Sequence, residues 1–486
     1  MIRSVLVANR GEIACRVFRT CRELGVATVA VHSDADASAL HVRQADTAVR
    51  LPGSTPADTY LRGDLIVKAA LAAGADAVHP GYGFLSENAD FARAVTDAGL
   101  VWIGPPPAAI EAMASKTRAK ELMGVAPLTE VTEADLPVLV KAAAGGGGRG
   151  MRVVRTLSEL AGQLAAARAE AASAFGDGEV FLEPYLERGR HVEVQILADA
   201  HGTVWTLGTR DCSLQRRHQK VIEESPAPGL PAGLVAELHE TAVRAARATD
   251  YRGAGTVEFL VVGDTPHFLE MNTRLQVEHP VTEAVFGLDL VALQLQVAEG
   301  APLPPEPPAP SGHAVEARLY AEDPASDWTP QTGPLHQLRL APADARPGGP
   351  VPAPWVRVDT GYEAGDAVGV HYDAMIAKVI AWAPTREQAV RRLAHALRTA
   401  RVHGTVTNRD LLVRSLEHPD FAAGRLDTGF YERHLDELAA APPGEELAAV
   451  AAALARCQNS SHVASSLARR AVVPGSTSNQ AENVPA

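Results

Sequence analysis

Residues 270–280 read Glu-Met-Asn-Thr-Arg-Leu-Gln-Val-Glu-His-Pro, a strict alternation of polar and mostly apolar side chains. In an extended segment, residues two apart share a face of the strand. One face would then carry five polar side chains, namely Glu270, Asn272, Arg274, Gln276 and Glu278. A solvated edge strand rarely needs Asn and Gln in register with two Glu and one Arg. The stretch therefore predicts a polar site built on a strand.

Just upstream, residues 255–260 (GTVEFL) read as a neighbouring strand with one carboxylate, Glu258, among apolar residues. Carboxylate and amide oxygens suit Mg²⁺, which keeps several waters and takes its remaining ligands from phosphates. Glu258, Glu270 and Asn272 are therefore the candidate metal ligands. Taken singly, each could equally be a surface residue, and only the three together favour a metal site.

Further upstream, residues 210–220 (RDCSLQRRHQK) concentrate cationic and polar side chains between apolar strands. Such a density of donors suits an anionic substrate. A solvated basic loop is the alternative on composition alone.

A glycine run occupies residues 145–148, with Arg149 and Gly150 after it, between the apolar segments LPVLVK and MRVV. Glycine lets successive backbone N–H groups approach phosphate oxygens. The flanking strands and the adjacent Lys141 favour a phosphate-binding hairpin over a flexible linker. No Gly-Lys-Ser/Thr follows, so this is not a P-loop.

Residues 1 to about 113 alternate between predicted strands and helices. The strands are Val5–Ala8, Ala27–Val31, Ala75–His79 and Leu100–Ile103, and the helical patterns include Glu12–Leu24 and Leu61–Ala73. This alternation is typical of a parallel sheet with crossover helices. The first turn, Asn-Arg-Gly-Glu, lacks GxGxxG, which disfavours dinucleotide binding.

Composition excludes several classes of protein. The 486 residues are 46% hydrophobic and carry a net charge of −13, which argues against nucleic-acid binding. We find no run of about 18 apolar residues, no signal-peptide pattern and no paired cysteine spacing. We therefore expect no membrane contact and a cytoplasmic location. The chain has 39 arginines but only 6 lysines, so a retained lysine can mark a place that needs a compact ammonium.

Several long motifs, in order, resemble the biotin carboxylase family of ATP-grasp enzymes. The matching stretches are VANRGEIA near the start, HPGYGFLSEN (79–88), KAAAGGGGRGMR (141–152), RHVEVQIL (190–197), RDCSLQRRHQKVIEE (210–224), EMNTRLQVEHPVTE (270–283) and YDAMIAKV (372–379). The resemblance runs from about residue 2 to about residue 437. Because these long motifs occur in register, it is highly specific.

The resemblance implies a role for each matching residue. ATP would be bound by Lys116, Lys141, Gly147, Gly148, Glu183, Leu186, His191 and His218. Bicarbonate would be bound by Lys220, Arg274, Gln276, Val277 and Glu278, with Glu278 as the base. Biotin would contact Tyr82 and Arg357, and Glu258, Glu270 and Asn272 would hold Mg²⁺, with Mn²⁺ as an alternative. The catalytic set would be Glu278, Arg274, Lys220 and Arg357.

The implied architecture is a multidomain α/β and α+β fold. A Rossmann-like parallel-sheet domain (1–113) precedes an ATP-grasp lid (114–186) and a central catalytic domain (187–300). A Pro-rich connector (301–312) leads to a mixed C-terminal domain (313–437) and a disordered tail (438–486). Between Lys120 and Lys141 the chain is shorter than in the family, so we expect a trimmed lid.

The implied activity is ATP- and Mg²⁺-dependent carboxylation of biotin by bicarbonate through carboxyphosphate, the first half-reaction of an acyl-CoA carboxylase. Biotin would be supplied on a separate carrier protein or domain, and a carboxyltransferase subunit would complete the assembly. A homodimer is expected through the N-terminal domain, with Arg16, Arg19 and Glu23 as candidate contacts. Two alternatives stay open: another ATP-grasp carboxylate ligase, and a catalytically weakened structural subunit.

Overall fold

The computed structural model describes residues 1–125, 128, 131–142, 151–175, 178–217, 219–340 and 354–440. All elements given below belong to one unit, Met1–Leu438. The predictions for Gly147, Gly148 and His218 lie outside the described residues, as does the predicted tail from residue 441 onward.

The N-terminal part is a parallel sheet of five strands in the order β3-β2-β1-β4-β5. Its strands are β1 (Ser4–Val7), β2 (Ala27–His32), β3 (Thr47–Arg50), β4 (Ala77–His79) and β5 (Val101–Trp102). Its helices are α1 (Gly11–Glu23), α2 (Leu40–Gln44), α3 (Gly63–Ala72), α4 (Ala89–Asp97) and α5 (Pro107–Ala114). The predicted parallel α/β domain is confirmed, and the four predicted strands shift by at most two residues at either end.

The lid segment forms a small antiparallel sheet of three strands, in the order β7-β6-β8, beside one long helix. Its elements are α6 (Lys116–Leu122), a 3₁₀ turn (Glu133–Asp135), β6 (Val138–Ala142), β7 (Arg152–Val154), α7 (Leu157–Phe175) and β8 (Val180–Pro184). The predicted hairpin is confirmed, since β6 and β7 pair on either side of the glycine segment.

The central part contributes five antiparallel strands and three helices. They are β9 (Arg190–Ala198), β10 (Val204–Arg216), β11 (Gln219–Ser225), α8 (Ala232–Ala248), β12 (Gly253–Val262), β13 (Thr265–Asn272), α9 (His279–Phe286) and α10 (Leu290–Ala298). The Pro-rich connector that follows has neither helix nor strand.

The C-terminal part extends the same sheet, because β14 pairs with β11. Its strands are β14 (His313–Tyr320), β15 (Glu322–Asp323), β16 (Thr329–Pro330), β17 (Gly333–Pro334), β18 (Gln337–Arg339), β19 (Trp355–Thr360), β20 (Ala367–Val368), β21 (Met375–Ala383) and β22 (Arg401–His403). Its helices are a 3₁₀ turn (Pro324–Ser326), α11 (Arg386–Thr399), α12 (Arg409–Glu417), α13 (Pro419–Ala422) and α14 (Phe430–Leu438). The resulting sheet has eight strands in the order β13-β12-β9-β10-β11-β14-β21-β19, so the connector joins two parts of one sheet.

The prediction of one extended strand over residues 270–278 is wrong beyond Asn272. Strand β13 ends there, residues 273–278 form a loop, and α9 begins at His279. Glu278 is the N-cap of α9, and Pro280 lies in its first turn, where a missing backbone N–H costs nothing. The chain is therefore helical directly after Glu278.

Among the described residues, no single helix has the length and apolarity to cross a membrane. The helices α9 and α10 meet the length and composition test only as a pair, and they meet at 93°.

Candidate active site

Strand register lines up charged side chains across the middle of the eight-stranded sheet. Arg210 on β10 lies opposite Glu193 on β9, Glu193 lies opposite Glu258 on β12, and Glu258 lies opposite Glu270 on β13. We call these four residues the charged row. Like charges directly opposite each other destabilise a strand pair. The three adjacent carboxylates therefore need cations around them.

Lys220 on β11 supplies one such cation. Its ammonium lies 2.6 Å from a carboxylate oxygen of Glu193, 2.9 Å from Glu258 and 2.6 Å from Glu278. Burial alone would lower the pKa of Lys220, but the three carboxylates outweigh it and raise the pKa well above its ordinary value. Lys220 is therefore a permanent positive charge shared by three acids.

Glu278 is fully buried at the N-terminus of α9. Its second oxygen accepts a 2.9 Å bond from Arg318, whose guanidinium also holds Glu223 at 2.5 Å. Burial favours protonation, but Lys220 and Arg318 outweigh it and hold the pKa of Glu278 well below its ordinary value. The carboxylate is thus ionised and able to accept a proton.

The loop after β13 places Arg274 beside these acids. Glu87 accepts from its Nε at 2.9 Å, Gln276 Oε1 accepts at 2.6 Å, and Asn272 Oδ1 accepts at 3.0 Å. The amide nitrogen of Gln276 in turn donates to Glu258 at 3.0 Å. The polar side chains predicted to share a strand face therefore do meet, although a loop rather than a strand brings them together.

Two of the candidate metal ligands, Glu258 and Glu270, lie opposite each other in the sheet. Burial and the charge of Glu258 raise the pKa of Glu270. By contrast, Lys220 and His191 outweigh burial and lower the pKa of Glu258. Asn272 donates to Glu258 at 2.7 Å. The two carboxylates lie opposite each other and have unequal pKa values. A hard cation such as Mg²⁺ would reduce the repulsion between them.

Three lysines converge at the junction of α6 and the lid sheet. Lys120 and Lys141 both pair with Glu183, and Lys116 lies 3.7 Å from Glu270. Burial lowers the pKa of Lys120, and the charges of Lys141 and Lys116 act in the same direction. Three ammonium groups beside two carboxylates, Glu183 and Glu270, leave one positive charge in excess, which suits a polyphosphate. Sequence reasoning did not include Lys120 in this set.

His191 and Leu186 are the other described residues that the family resemblance assigns to the ATP site. His191 is buried on β9, and its Nε2 lies 2.9 Å from Glu258, while its Nδ1 lies 2.7 Å from Gln215. Leu186 is half-buried in the segment that follows β8.

A cavity of about 480 Å³ opens beside Arg274. Its lining includes Arg274, Val277 and Arg318, together with Glu12 and Tyr82 from the N-terminal domain. Arg318, which sequence reasoning missed, is therefore the arginine that joins this cavity to Glu278.

Arg357 is not among the cavity-lining residues. Its guanidinium binds Glu283 at 2.7 Å and Asp359 at 2.6 Å. Arg16 also binds Glu283 inside the chain and is only 2% exposed. The prediction that Arg16 contacts a second subunit is therefore not supported, whereas the biotin role of Arg357 stays a prediction.

Three family descriptions match the chain. The biotin carboxylase N-terminal domain matches residues 1–110, the ATP-binding domain of the carbamoyl-phosphate synthase L chain matches residues 109–306, and the biotin carboxylase C-terminal domain matches residues 316–433.

Similar proteins include the mitochondrial methylcrotonoyl-CoA carboxylase subunit alpha of rice (Oryza sativa), 46% identical over 96% of this chain. The chain spans 66% of that relative's length. The biotin carboxylase of Halalkalibacterium halodurans is 46% identical over 90% of this chain and 98% of its own.

Among solved structures, the biotin carboxylase domain of 2-oxoglutarate carboxylase from Hydrogenobacter thermophilus superposes with a TM-score of 0.83. It is 41% identical, and the match covers 91% of this chain and all of that one. That structure is a dimer in complex with MgADP, ADP and bicarbonate.

Proposed function

Because the chain belongs to the biotin carboxylase family, we propose that it carboxylates biotin with bicarbonate at the expense of ATP. Family membership does not favour either alternative, a different carboxylate ligase or a non-catalytic subunit. As a whole-protein activity we propose the first half-reaction of an acyl-CoA carboxylase, the class to which the rice relative belongs.

One observation carries the proposal: a single lysine, Lys220, contacts both the row of acids and Glu278, next to a cavity lined by Arg274. Bicarbonate is a small anion that must be held by cations and deprotonated before it can attack a phosphoryl group. Lys220 and Arg274 supply the cations, and the ionised Glu278 supplies the base.

The resting pKa of Glu278 explains how the base would be switched on. A carboxylate held by Lys220 and Arg318 is ionised but weakly basic. Bicarbonate that binds the ammonium of Lys220 weakens the hold of that ammonium on Glu278. Binding of the substrate therefore raises the proton affinity of the group that must deprotonate it.

The phosphate end of the reaction uses the acids and lysines at the opposite side of the charged row. Glu258 and Glu270 would hold Mg²⁺, which neutralises charge on the transferring phosphoryl group. Lys116 lies between this pair and the lid lysines, in a position to hold the ATP phosphates. Attack by bicarbonate would release ADP and give carboxyphosphate, which breaks down to CO₂ and phosphate. The phosphate would then take the ureido proton of biotin, whose nitrogen attacks CO₂.

We also propose that biotin arrives on a separate carrier protein or domain, and that a carboxyltransferase subunit uses the product. The six lysines support the carrier proposal, because none has the setting of a biotinylation site. Lys378 is fully buried, Lys116, Lys120, Lys141 and Lys220 are ion-paired, and Lys68 lies within α3. A homodimer and a cytoplasmic location complete the proposal.

The test is release of ADP, measured with ATP and Mg²⁺ in the presence or absence of bicarbonate and free biotin. We expect ADP release to require bicarbonate and to rise with biotin. Glu278→Gln should abolish this release and retain nucleotide binding. Glu306→Gln, an exposed position in the connector, is the matched control and should behave as wild type. ADP release that is indifferent to bicarbonate would refute the proposal.

A further inference from the structure

Lys378 is a fully buried cation that the proposed reaction does not use. It lies on β21, and its side chain has no solvent exposure. Its ammonium donates to the carbonyl of Val277 at 2.8 Å and lies 3.1 Å from the carboxylate of Glu12. An ammonium taken out of water is strongly destabilising unless such partners offset the loss of hydration. Its partners in the structure are therefore a guide to its role.

The same ammonium also contacts Tyr82, which lines the cavity. It lies 5.9 Å from the centroid of the Tyr82 ring, within the range of a cation–π contact. The Tyr82 hydroxyl donates to the second oxygen of Glu12. Lys378, Glu12 and Tyr82 therefore close a triangle in which β21, the first turn of α1 and the loop after β4 meet.

The loop that carries Arg274 and Glu278 is held from behind at two consecutive carbonyls. His279 Nδ1 donates to the carbonyl of Gln276 at 2.6 Å, and Lys378 donates to the carbonyl of Val277. These bonds fix the peptide immediately before Glu278. A shift of Val277 would therefore move Glu278 relative to the guanidinium of Arg274.

We propose that Lys378 is a positioning residue that holds Val277 in register with Tyr82, so that bicarbonate binding and occupation of the cavity by biotin are coupled. This inference rests on the proposed function. Tyr82 and Val277 both line the cavity, and Lys378 contacts both. A ligand that shifts Tyr82 therefore acts on the loop that binds bicarbonate, and the coupling is reciprocal.

The side chain has to be lysine for a geometric reason. Its three contacts are a carbonyl at 2.8 Å, a carboxylate at 3.1 Å and the face of a ring at 5.9 Å, all made by one nitrogen. A compact ammonium with rotatable donors can meet all three, whereas the planar guanidinium of arginine cannot. This accounts for a retained lysine in a chain with 39 arginines.

The experiment compares Lys378→Met and the double variant Glu12→Gln/Lys378→Met with wild type. The KM values for bicarbonate and ATP are measured with and without free biotin. Lys68→Met, an exposed lysine on α3, is the control. We expect the KM for bicarbonate to rise about tenfold in Lys378→Met, with the KM for ATP within about twofold. We also expect the effect of biotin on the KM for bicarbonate to disappear.

The double variant separates positioning from stability, because it removes both buried charges together. It should regain the thermal stability lost in Lys378→Met without regaining the KM for bicarbonate. If the single variant does not fold, the double variant decides by the same criteria. An unchanged KM for bicarbonate, or equal increases in both KM values, overturns the inference. A wild type without bicarbonate-dependent ADP release overturns the proposed function itself.

Discussion

The ammonium of Lys220 lies 2.6 Å from Oε1 of Glu278, and the same nitrogen contacts Glu193 and Glu258. One cation thus holds the base ionised and also neutralises the acids on the neighbouring strands. Lys220 therefore contacts both Glu278, the proposed base for bicarbonate, and Glu258, a proposed Mg²⁺ ligand. Its removal should affect both parts of the site.

Lys220→Ala should impair the use of bicarbonate more than the binding of ATP. The KM for bicarbonate should rise at least about tenfold, while the Kd of ATP changes much less, because Lys116 and Lys141 remain. Loss of a partner from a buried ion pair should also lower the free energy of unfolding by about 3–5 kcal/mol. Steady-state kinetics, nucleotide titration and urea unfolding measure the three quantities. Equal losses for both ligands would place Lys220 in the nucleotide site instead.

Glu316 on β14 lies directly opposite Glu223 on β11, and within the described structure neither oxygen of Glu316 has a hydrogen-bond partner. Burial raises the pKa of Glu316 well above its ordinary value, although Lys378 opposes it. Burial likewise raises the pKa of Glu223 to about 7, against the opposing charge of Arg318. The pair therefore keeps protons that the unfolded chain releases near pH 4.5.

For such groups, stability is greatest below the unfolded pKa and falls as pH rises through the folded pKa. Glu316→Gln mimics the protonated acid at every pH. Its free energy of unfolding, relative to wild type, should therefore be higher at pH 8 than at pH 5, as urea titrations at both values would measure. A difference that stays constant between the two pH values would contradict the assignment of a retained proton.

The effect of Glu270→Gln on the free energy of unfolding should change sign between EDTA and Mg²⁺. In EDTA the variant should be at least as stable as wild type, because it removes a like charge opposite Glu258. With Mg²⁺ at about 100 times its Kd, wild type should gain about 2.7 kcal/mol, and the variant should lose most of that gain. Thermal unfolding with and without Mg²⁺ is the measurement. An equal gain in both proteins would remove Glu270 from the metal site.

Much of the fold follows from local patterns. Short apolar runs separated by amphipathic stretches predicted the parallel sheet because each crossover helix buries one face against it, as Phe18 of α1 does. The glycine hairpin was predictable because LPVLVK and MRVV can pair only through a turn. The end of β13 at Asn272 was missed because the alternation of polar residues continues into the loop that follows it.

Two of the site residues that were missed, Glu193 and Arg318, share one physical cause. Each lies in a strand where polar and apolar residues alternate. In the sequence, this alternation looks like that of a strand with one face in water. The structure buries both faces of β9 and β14, and Glu193 and Arg318 are 0% and 6% exposed. Only the pairing of β9 with β10 and β12 shows that Glu193 faces Arg210 and Glu258. Only the folded chain brings Arg318 to Glu223 and Glu278. No local pattern contains that information.

Matched substitutions to Gln can distinguish the roles of Arg318 and Arg357. Arg318 donates to Glu278 and lines the cavity, so Arg318→Gln should lower kcat for bicarbonate-dependent ADP release by at least about tenfold. Arg357→Gln should raise the KM for free biotin with the KM for bicarbonate unchanged, as the family resemblance implies. If the KM for biotin does not move, Arg357 serves only to bind Glu283 and Asp359.

In the proposed reaction, bicarbonate activated by Glu278 and Lys220 attacks the terminal phosphoryl group of ATP. The direct test is the fate of oxygen from ¹⁸O-labelled bicarbonate during turnover with ATP, Mg²⁺ and free biotin. Each inorganic phosphate released should carry one labelled oxygen, because a bicarbonate oxygen becomes bonded to phosphorus. Phosphate that takes its new oxygen from water, with none from bicarbonate, would contradict it.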